Sequence, residues 1–393
     1  ASGHLKYAAP LACDIEGLAR PISAWVRTST SADAVAGDAA EAVAVASEPP
    51  GNIATLILPG DTAWNEAKAT APRQAVKPRP RPDAERIEAV ARVLARKEPT
   101  LLVLAGRALR ADTLELAGRI AAKTGCVVGM QFFSARTERG AGRVSTFRIP
   151  YAVDLAMKAL APFKHIVTVE TTEPLAFFAY PGKPSLLKAE GTSVTELCAK
   201  GVDSAAALDG LAQAVGARKG DAKLQKRDQQ PLPTGALNPT SIAAALAALI
   251  PENGIVVDES VTTGRESFGL TEGAAPHDWI MNMGGSIGYG GPVATGAAIA
   301  CPDRKVIALS GDGSAMYTIQ CLWTQARENL DVVNVIFANR AYQILRNEFA
   351  GVGAGTPGKK ALDMLTIDRP TLDFVALAKG QGVPGTRVDT VDG

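Results

Sequence analysis

The sequence predicts an α/β protein of three units, each with parallel sheets flanked by helices, the first unit incomplete in this chain. Three observations carry that expectation. Short apolar runs rich in Val, Ile and Leu alternate with stretches of helical length. Two charged, Pro-containing segments, 69–83 and 216–238, interrupt the alternation and read as linkers. Between Val306 and Tyr342 a buried strand, a Gly-Asp-Gly turn, a helix and a second buried strand follow one another. A strand–helix–strand unit of this length makes its two strands parallel neighbours.

The elements are justified in chain order. Residues 1–68 hold a short helix in DIEGLARPISAW that ends at an Arg-Pro turn, an Ala-rich helix from Ser31 to Ala46, and a buried strand in IATLILP. Ser31 and Asp33 are suitable caps for the second helix. One helix and one strand cannot close a core, so their partner strands are expected elsewhere. The 69–83 stretch, ATAPRQAVKPRPRPD, favours extended polyproline-like backbone and reads as an interdomain strap.

Residues 84–215 form the central unit. A helix from Ala84 to Lys97 leads to the strand LLVLAG, a helix from Asp112 to Thr124 leads to CVVGM, and HIVTVE is a third strand. AGRALR lacks the GxGxxG spacing of a dinucleotide turn and reads as a plain strand–helix connection. His165, at a strand start, reads as structural, and Met130 to Gly140 as flexible surface, with a loop near a ligand as the alternative. In the third unit, 239–393, Asn238 or Thr240 caps an Ala-rich helix, GIVVDES is a strand, and a helix is expected from Thr371 to Lys379. The chain starts without Met and stops at Val391-Asp392-Gly393 without a closing element, as a truncated end would.

Composition removes several function classes. A formal net charge of +1 argues against a dedicated nucleic-acid binder. No apolar run reaches about 18 residues, so no membrane-spanning helix is expected. Cys13, Cys126, Cys198, Cys301 and Cys321 make no CxxC pair and no disulfide framework, which suits a reducing cytoplasm. Three His are too few and too scattered for a His-based metal site. The first ten residues lack the basic-then-apolar pattern of a signal peptide. His4 reads as an exposed terminal residue.

The chemistry concentrates in Val306–Tyr342. Asp312 and Asn339 each follow a strand, at the edge where open α/β sheets bind ligands. A carboxylate and a carboxamide oxygen suit a hard cation such as Mg²⁺, which takes oxygen ligands and often shares its shell with phosphates. Gly311 and Gly313 clear space around Asp312, and the amides of Gly313 and Ser314, at a helix expected from Ser314 to Asn329, would face a phosphate. Alone, a Gly-Asp-Gly turn fits any doubly wound domain.

In its context the turn resembles the diphosphate-binding signature of thiamine-diphosphate (ThDP) enzymes, in which GDG, a helix and a strand precede a paired Asn. Ala338-Asn339 stands where that family has Asn-Asn. The resemblance implies Asp312, Asn339 and the carbonyl of Ala341 as Mg²⁺ ligands. Two more stretches match in order. MGGSIGYGGP resembles the family's glycine-rich turn, so Ile287 would wedge the cofactor into its bent shape and the Gly285 carbonyl would accept from its 4′-amino group. DESVTTG resembles a diphosphate-holding loop, with Thr262 ahead of Thr263 as the hydroxyl and Glu259 orienting the loop.

The chain as a whole resembles acetolactate synthase large subunits, in the branch related to benzoylformate decarboxylase. The resemblance implies that 1–68 is the tail of a pyrimidine-binding domain and that the glutamate activating the cofactor lies outside this chain. It implies a 2-oxo acid substrate, loss of CO₂, then joining of the remainder to a second carbonyl. Simple 2-oxo acid decarboxylation and a non-catalytic ThDP-binding homologue are the alternatives. Gln343 and Leu345, in a loop expected from Arg340 to Phe349, are candidate substrate contacts. The family's sites imply a homodimer or homotetramer. Some members hold FAD in the central unit, and no motif here decides for or against it.

Overall fold

The computed structural model describes residues 1–4, 6–7 and 9–393. Its first 68 residues hold β1 (Trp25–Thr28) and β2 (Ala54–Ile57), paired parallel with Trp25 opposite Ala54. The Ala32–Ser47 helix joins them, and Ser31 Oγ caps it by accepting from the Ala34 amide. β1 was not expected, since its stretch reads locally as the end of a helix and a turn. Contacts from the helix explain it. Glu41 accepts from the Trp25 indole at 3.1 Å, and Asp38 accepts from Arg27 at 3.0 Å.

The strap 69–83 runs without regular structure against the central unit, where the Pro80 carbonyl accepts from the Asp203 amide at 2.9 Å. That unit contains β3 (Thr100–Leu104), β4 (Val127–Met130), β5 (Thr137–Arg139), β6 (Phe147–Arg148), β7 (His165–Val169) and β8 (Ser193–Cys198). Five of them form a parallel sheet in the order β6-β4-β3-β7-β8. β3 and β7 are buried throughout, as strands covered on both faces must be. His165 is structural here, bonded to Ser193 and Glu98.

The sixth strand corrects the expectation of a flexible 130–140 surface. β5 leaves the central sheet and pairs antiparallel with β10 (His277–Met281) at the edge of the third sheet. Thr137 and Arg139 are buried there, and Arg136 binds the buried Asp278 at 2.7 Å. Read locally, TERG is polar and turn-like, and only a partner strand distant in sequence makes it β.

The third sheet adds β9 (Gly254–Glu259), β11 (Val306–Gly311) and β12 (Val332–Phe337), in the order β12-β11-β9-β10-β5. β9 to β12 are mutually parallel. From β9 the chain goes to β10 on one side and then to β11 on the other, so the strand order switches beside β9. The loops after β9, β10, β11 and β12 therefore share one carboxyl edge, the side on which open α/β sheets bind ligands.

The helix expected from Ser314 to Asn329 is broken into Asp312–Ala315 and Cys321–Arg327. The intervening turn packs on the glycine-rich stretch, where Thr318 Oγ1 donates to the Gly288 carbonyl at 2.6 Å. The Arg340–Phe349 loop is helical from Gln343 to Gly351. The last expected helix forms at Phe374–Gly380. Among the described residues no helix is long and apolar enough to cross a membrane.

Candidate functional site

The site is built where β11 and β12 end. Gly311 lies opposite Phe337, so Asp312 emerges beside residues 338–340. Asp312 Oδ2 accepts from the Arg340 amide at 2.6 Å, and Oδ1 accepts from the Gly313 amide at 2.9 Å. The side chain is 3% exposed and, among the described residues, makes no ion pair. Burial pushes its carboxyl above the usual aspartate range, while the two amides pull it back. A buried carboxylate with only neutral donors is costly unless a cation compensates it. Its chemistry fits a hard divalent ion at this edge.

Asn339 is exposed and its Oδ1 accepts from the Ala341 amide at 3.0 Å, which folds the chain back. Arg340 sits at φ +58°, an unusual backbone for a residue with a side chain, held by its bond to Asp312. The next residues are pinned from outside, because the Tyr342 amide donates to the Leu365 carbonyl at 3.0 Å. The Tyr342 ring covers Gly313 so closely that a Cβ there would stand 2.6 Å from Cε1. The Gly313 amide is not free for a ligand, since Asp312 takes it. Ser314 is buried in the first turn that follows.

The glycine-rich turn is held by a residue expected to act elsewhere. Glu259 does not brace its own Thr loop. Its carboxylate accepts from the amides of Gly288 and Gly290, the latter at 2.8 Å, and so ties the turn after β10 to the end of β9. Gly290 allows this approach, because a Cβ would lie 2.8 Å from Glu259 Oε2. The signal in the sequence was an acid at a strand end, but the turn it holds is 29 residues away in one case and 31 in the other. Burial raises the Glu259 carboxyl, and three amides of the turn oppose that rise.

Ile287 stands at the tip of this turn, 43% exposed, and Gly285 takes φ +71°. Above Gly285 lies Phe177 of the central unit, 3.2 Å from where a Cβ would be. Phe177 belongs to an aromatic group with Tyr151 and with Phe133, the latter in the stretch whose alternative reading is a loop near a ligand. Thr262 and Thr263 are half-buried in the turn after β9, beside Val261 at φ +49°. Gln343 and Leu345 lie on the Gln343–Gly351 helix. Gln343 is spent on Asn347 at 2.9 Å, and Leu345 is exposed.

Comparison with known proteins bears on this edge. Residues 267–393 match the family model described as thiamine pyrophosphate enzyme, C-terminal TPP binding domain. Over its whole length the chain is 46% identical to a Mycobacterium tuberculosis protein provisionally named acetolactate synthase large subunit IlvX, and it covers 75% of that relative. The chain belongs to the thiamine-diphosphate-dependent enzyme family. It is also 36% identical over 156 residues to a benzoylformate decarboxylase of Pseudomonas aeruginosa, a match spanning 40% of the chain and 28% of that protein. A solved ThDP-dependent 4-hydroxybenzoylformate decarboxylase of Rhodococcus jostii shares the fold, with TM-score 0.80 and 23% identity over 99% of this chain and 76% of that one. The chain is thus a ThDP-family member related to acetolactate synthases and 2-oxo acid decarboxylases.

Proposed function

We propose that this protein is a Mg²⁺-dependent ThDP enzyme that decarboxylates a 2-oxo acid and joins the remainder to a second carbonyl compound. The observation that supports the reading most is the buried, ion-pair-free carboxylate of Asp312 at the switch of the third sheet. In this reading Asp312, Asn339 and the Ala341 carbonyl hold Mg²⁺. The cofactor's diphosphate lies among Gly311, Gly313, Ser314, Thr262 and Thr263. When bound, ThDP supplies the electron sink that lets a 2-oxo acid release CO₂.

The chain's own residues bind, orient and exclude water. Glu259 fixes the glycine-rich turn, which sets the position of the Gly285 carbonyl as an acceptor. Ile287, on that turn, presents an aliphatic wedge to the cofactor. Phe177, over Gly285, dries the approach to the turn. Gln343 and Leu345 line the substrate side from the last helix of the edge. The reading includes a homodimer or homotetramer in a reducing cytoplasm.

A second reading has its own support. The aromatic group around Phe133, Tyr151 and Phe177 reaches the turn and would suit an aryl 2-oxo acid, with simple decarboxylation to an aldehyde. One experiment separates the two. The protein with ThDP and Mg²⁺ is given a panel of aliphatic and aryl 2-oxo acids, with CO₂ and acyloin products scored separately. Acyloin from aliphatic acids supports the first reading, aldehyde without acyloin from aryl acids supports the second, and inertness of every acid defeats both.

A further inference from the structure

A cavity of about 760 Å³ opens at the start of β4, away from Asp312. Its volume falls within the range of small-molecule sites. Val128 and Phe147 give it an apolar wall, and Arg139, Arg148 and Lys223 line it together with one acid, Glu272. Both guanidiniums lie against the ring of Phe268, 3.8 Å and 4.5 Å from its centroid.

Arg139, 6% exposed, donates to Thr271 Oγ1 at 2.6 Å and to the Phe268 carbonyl. Arg148 donates to the Phe132 carbonyl at 2.8 Å and to Met281 Sδ. All four acceptors are uncharged. Among the described residues neither arginine makes an ion pair. Glu272 accepts from Ser145, and Asp258, the other carboxylate felt here, accepts from Ser260. Burial pulls Arg139 down to about 9 and Arg148 to about 10, so both are charged at neutral pH. A guanidinium carries five N–H donors, and the protein occupies two on each. Two like charges held together in a poorly hydrated place, with donors to spare, are costly unless an anion joins them.

We propose that this cavity is a binding site for a small organic phosphate, its dianionic head between Arg139, Arg148 and Lys223 and its apolar body against Val128 and Phe147. Three cations line the cavity against one lining carboxylate, Glu272, with the buried Asp258 behind the arginines, so one positive charge stays in excess and an anionic phosphate offsets it. The cavity opens at the start of β4, while Arg148 at its inner end donates to Met281 at the end of β10; binding there does not depend on the proposed reaction.

Calorimetry on the full chain, with stoichiometric rather than excess ThDP, and with Mg²⁺, tests this with phenyl phosphate as probe. Two variants keep the buried arginines intact. Ala122→Trp fills the exposed rim of the cavity, and Lys223→Glu reverses its exposed cation. Expected are saturable one-site binding to the wild type, competition by inorganic phosphate, and at least tenfold weaker binding in each variant with unchanged melting temperature. Absence of saturable binding, failure of phosphate to compete, or less than tenfold weakening in either variant overturns the proposal.

Discussion

Asp312→Asn exchanges a carboxylate for an amide of nearly the same shape at the residue most exposed to test. Two effects oppose each other before any ligand binds. The amide keeps one backbone bond but turns its NH₂ towards the Arg340 or Gly313 amide, which costs about 1–3 kcal/mol. Against that, a buried charge disappears. The folded carboxyl has a raised pKa, so the native state holds its proton more tightly than the unfolded chain. The group therefore favours folding in acid and disfavours it as pH rises through the raised value. At pH 7 the variant escapes that penalty. The ligand-free melting temperature of its 239–393 unit should fall by less than about 8 °C, given roughly 2–4 °C per kcal/mol for a domain of that size. Binding should suffer far more. Removing the charged partner of a buried cation costs about 3–5 kcal/mol, or roughly two to four decades in Kd. A wild type at 100 times its Kd gains about 2.7 kcal/mol from the ligand. The variant at the same concentration should gain under about 0.5 kcal/mol. The assay is the melting temperature with and without ThDP and Mg²⁺. A variant that shifts as far as the wild type refutes the assignment of Asp312 to the metal.

Ile287→Ala should leave ThDP affinity within a few-fold and folding nearly untouched, because the side chain is exposed, yet slow exchange of the cofactor's C2 hydrogen. Proton NMR of that hydrogen reads the rate, and an unchanged rate removes the wedge. Glu259→Gln should free one of the two turn amides at a cost of about 1–3 kcal/mol. Hydrogen exchange should then rise at Gly288 or Gly290 and not along β9. Stability should also fall in mild acid. Burial first, then the nearby Arg139 charge, hold the His277 imidazole down to about 4. The unfolded chain takes up that proton sooner, so the contribution is complete above about pH 6.5 and is lost as pH falls towards 4, up to about 3 kcal/mol at 1.36 kcal/mol per unit. Urea midpoints at pH 7 and pH 4.5 should converge in His277→Gln.

How far the fold was legible follows from which forces act locally. β3, β7, β9 and β11 are short apolar runs between turn residues, and period and composition were enough to find them. The helix start at 238–240 was equally plain, and of its two candidate caps the structure uses Asn238. It forms a full capping box with Ser241. β5, β1 and the break at Met316–Gln320 were not legible. Each is imposed by a partner far along the chain: β10 for β5, the Glu41 carboxylate for β1, the Gly288 carbonyl for the break.

The candidate site divides the same way. The residue types of the edge, an acid between two glycines and an amide after the next strand, are visible in the sequence because the tight turn after β11 restricts what can occupy it. Their spacing, read with β-period and turn chemistry, was enough to predict one shared sheet edge. What holds that edge is a matter of tertiary structure. Glu259 reaching the turn after β10, Phe177 resting on Gly285, and two arginines that make no ion pair among the described residues, stacked against Phe268, all join segments that no local pattern connects. Burial and charge are properties of the assembled core, so a sequence can name these side chains without saying which of them will be left without a counter-ion.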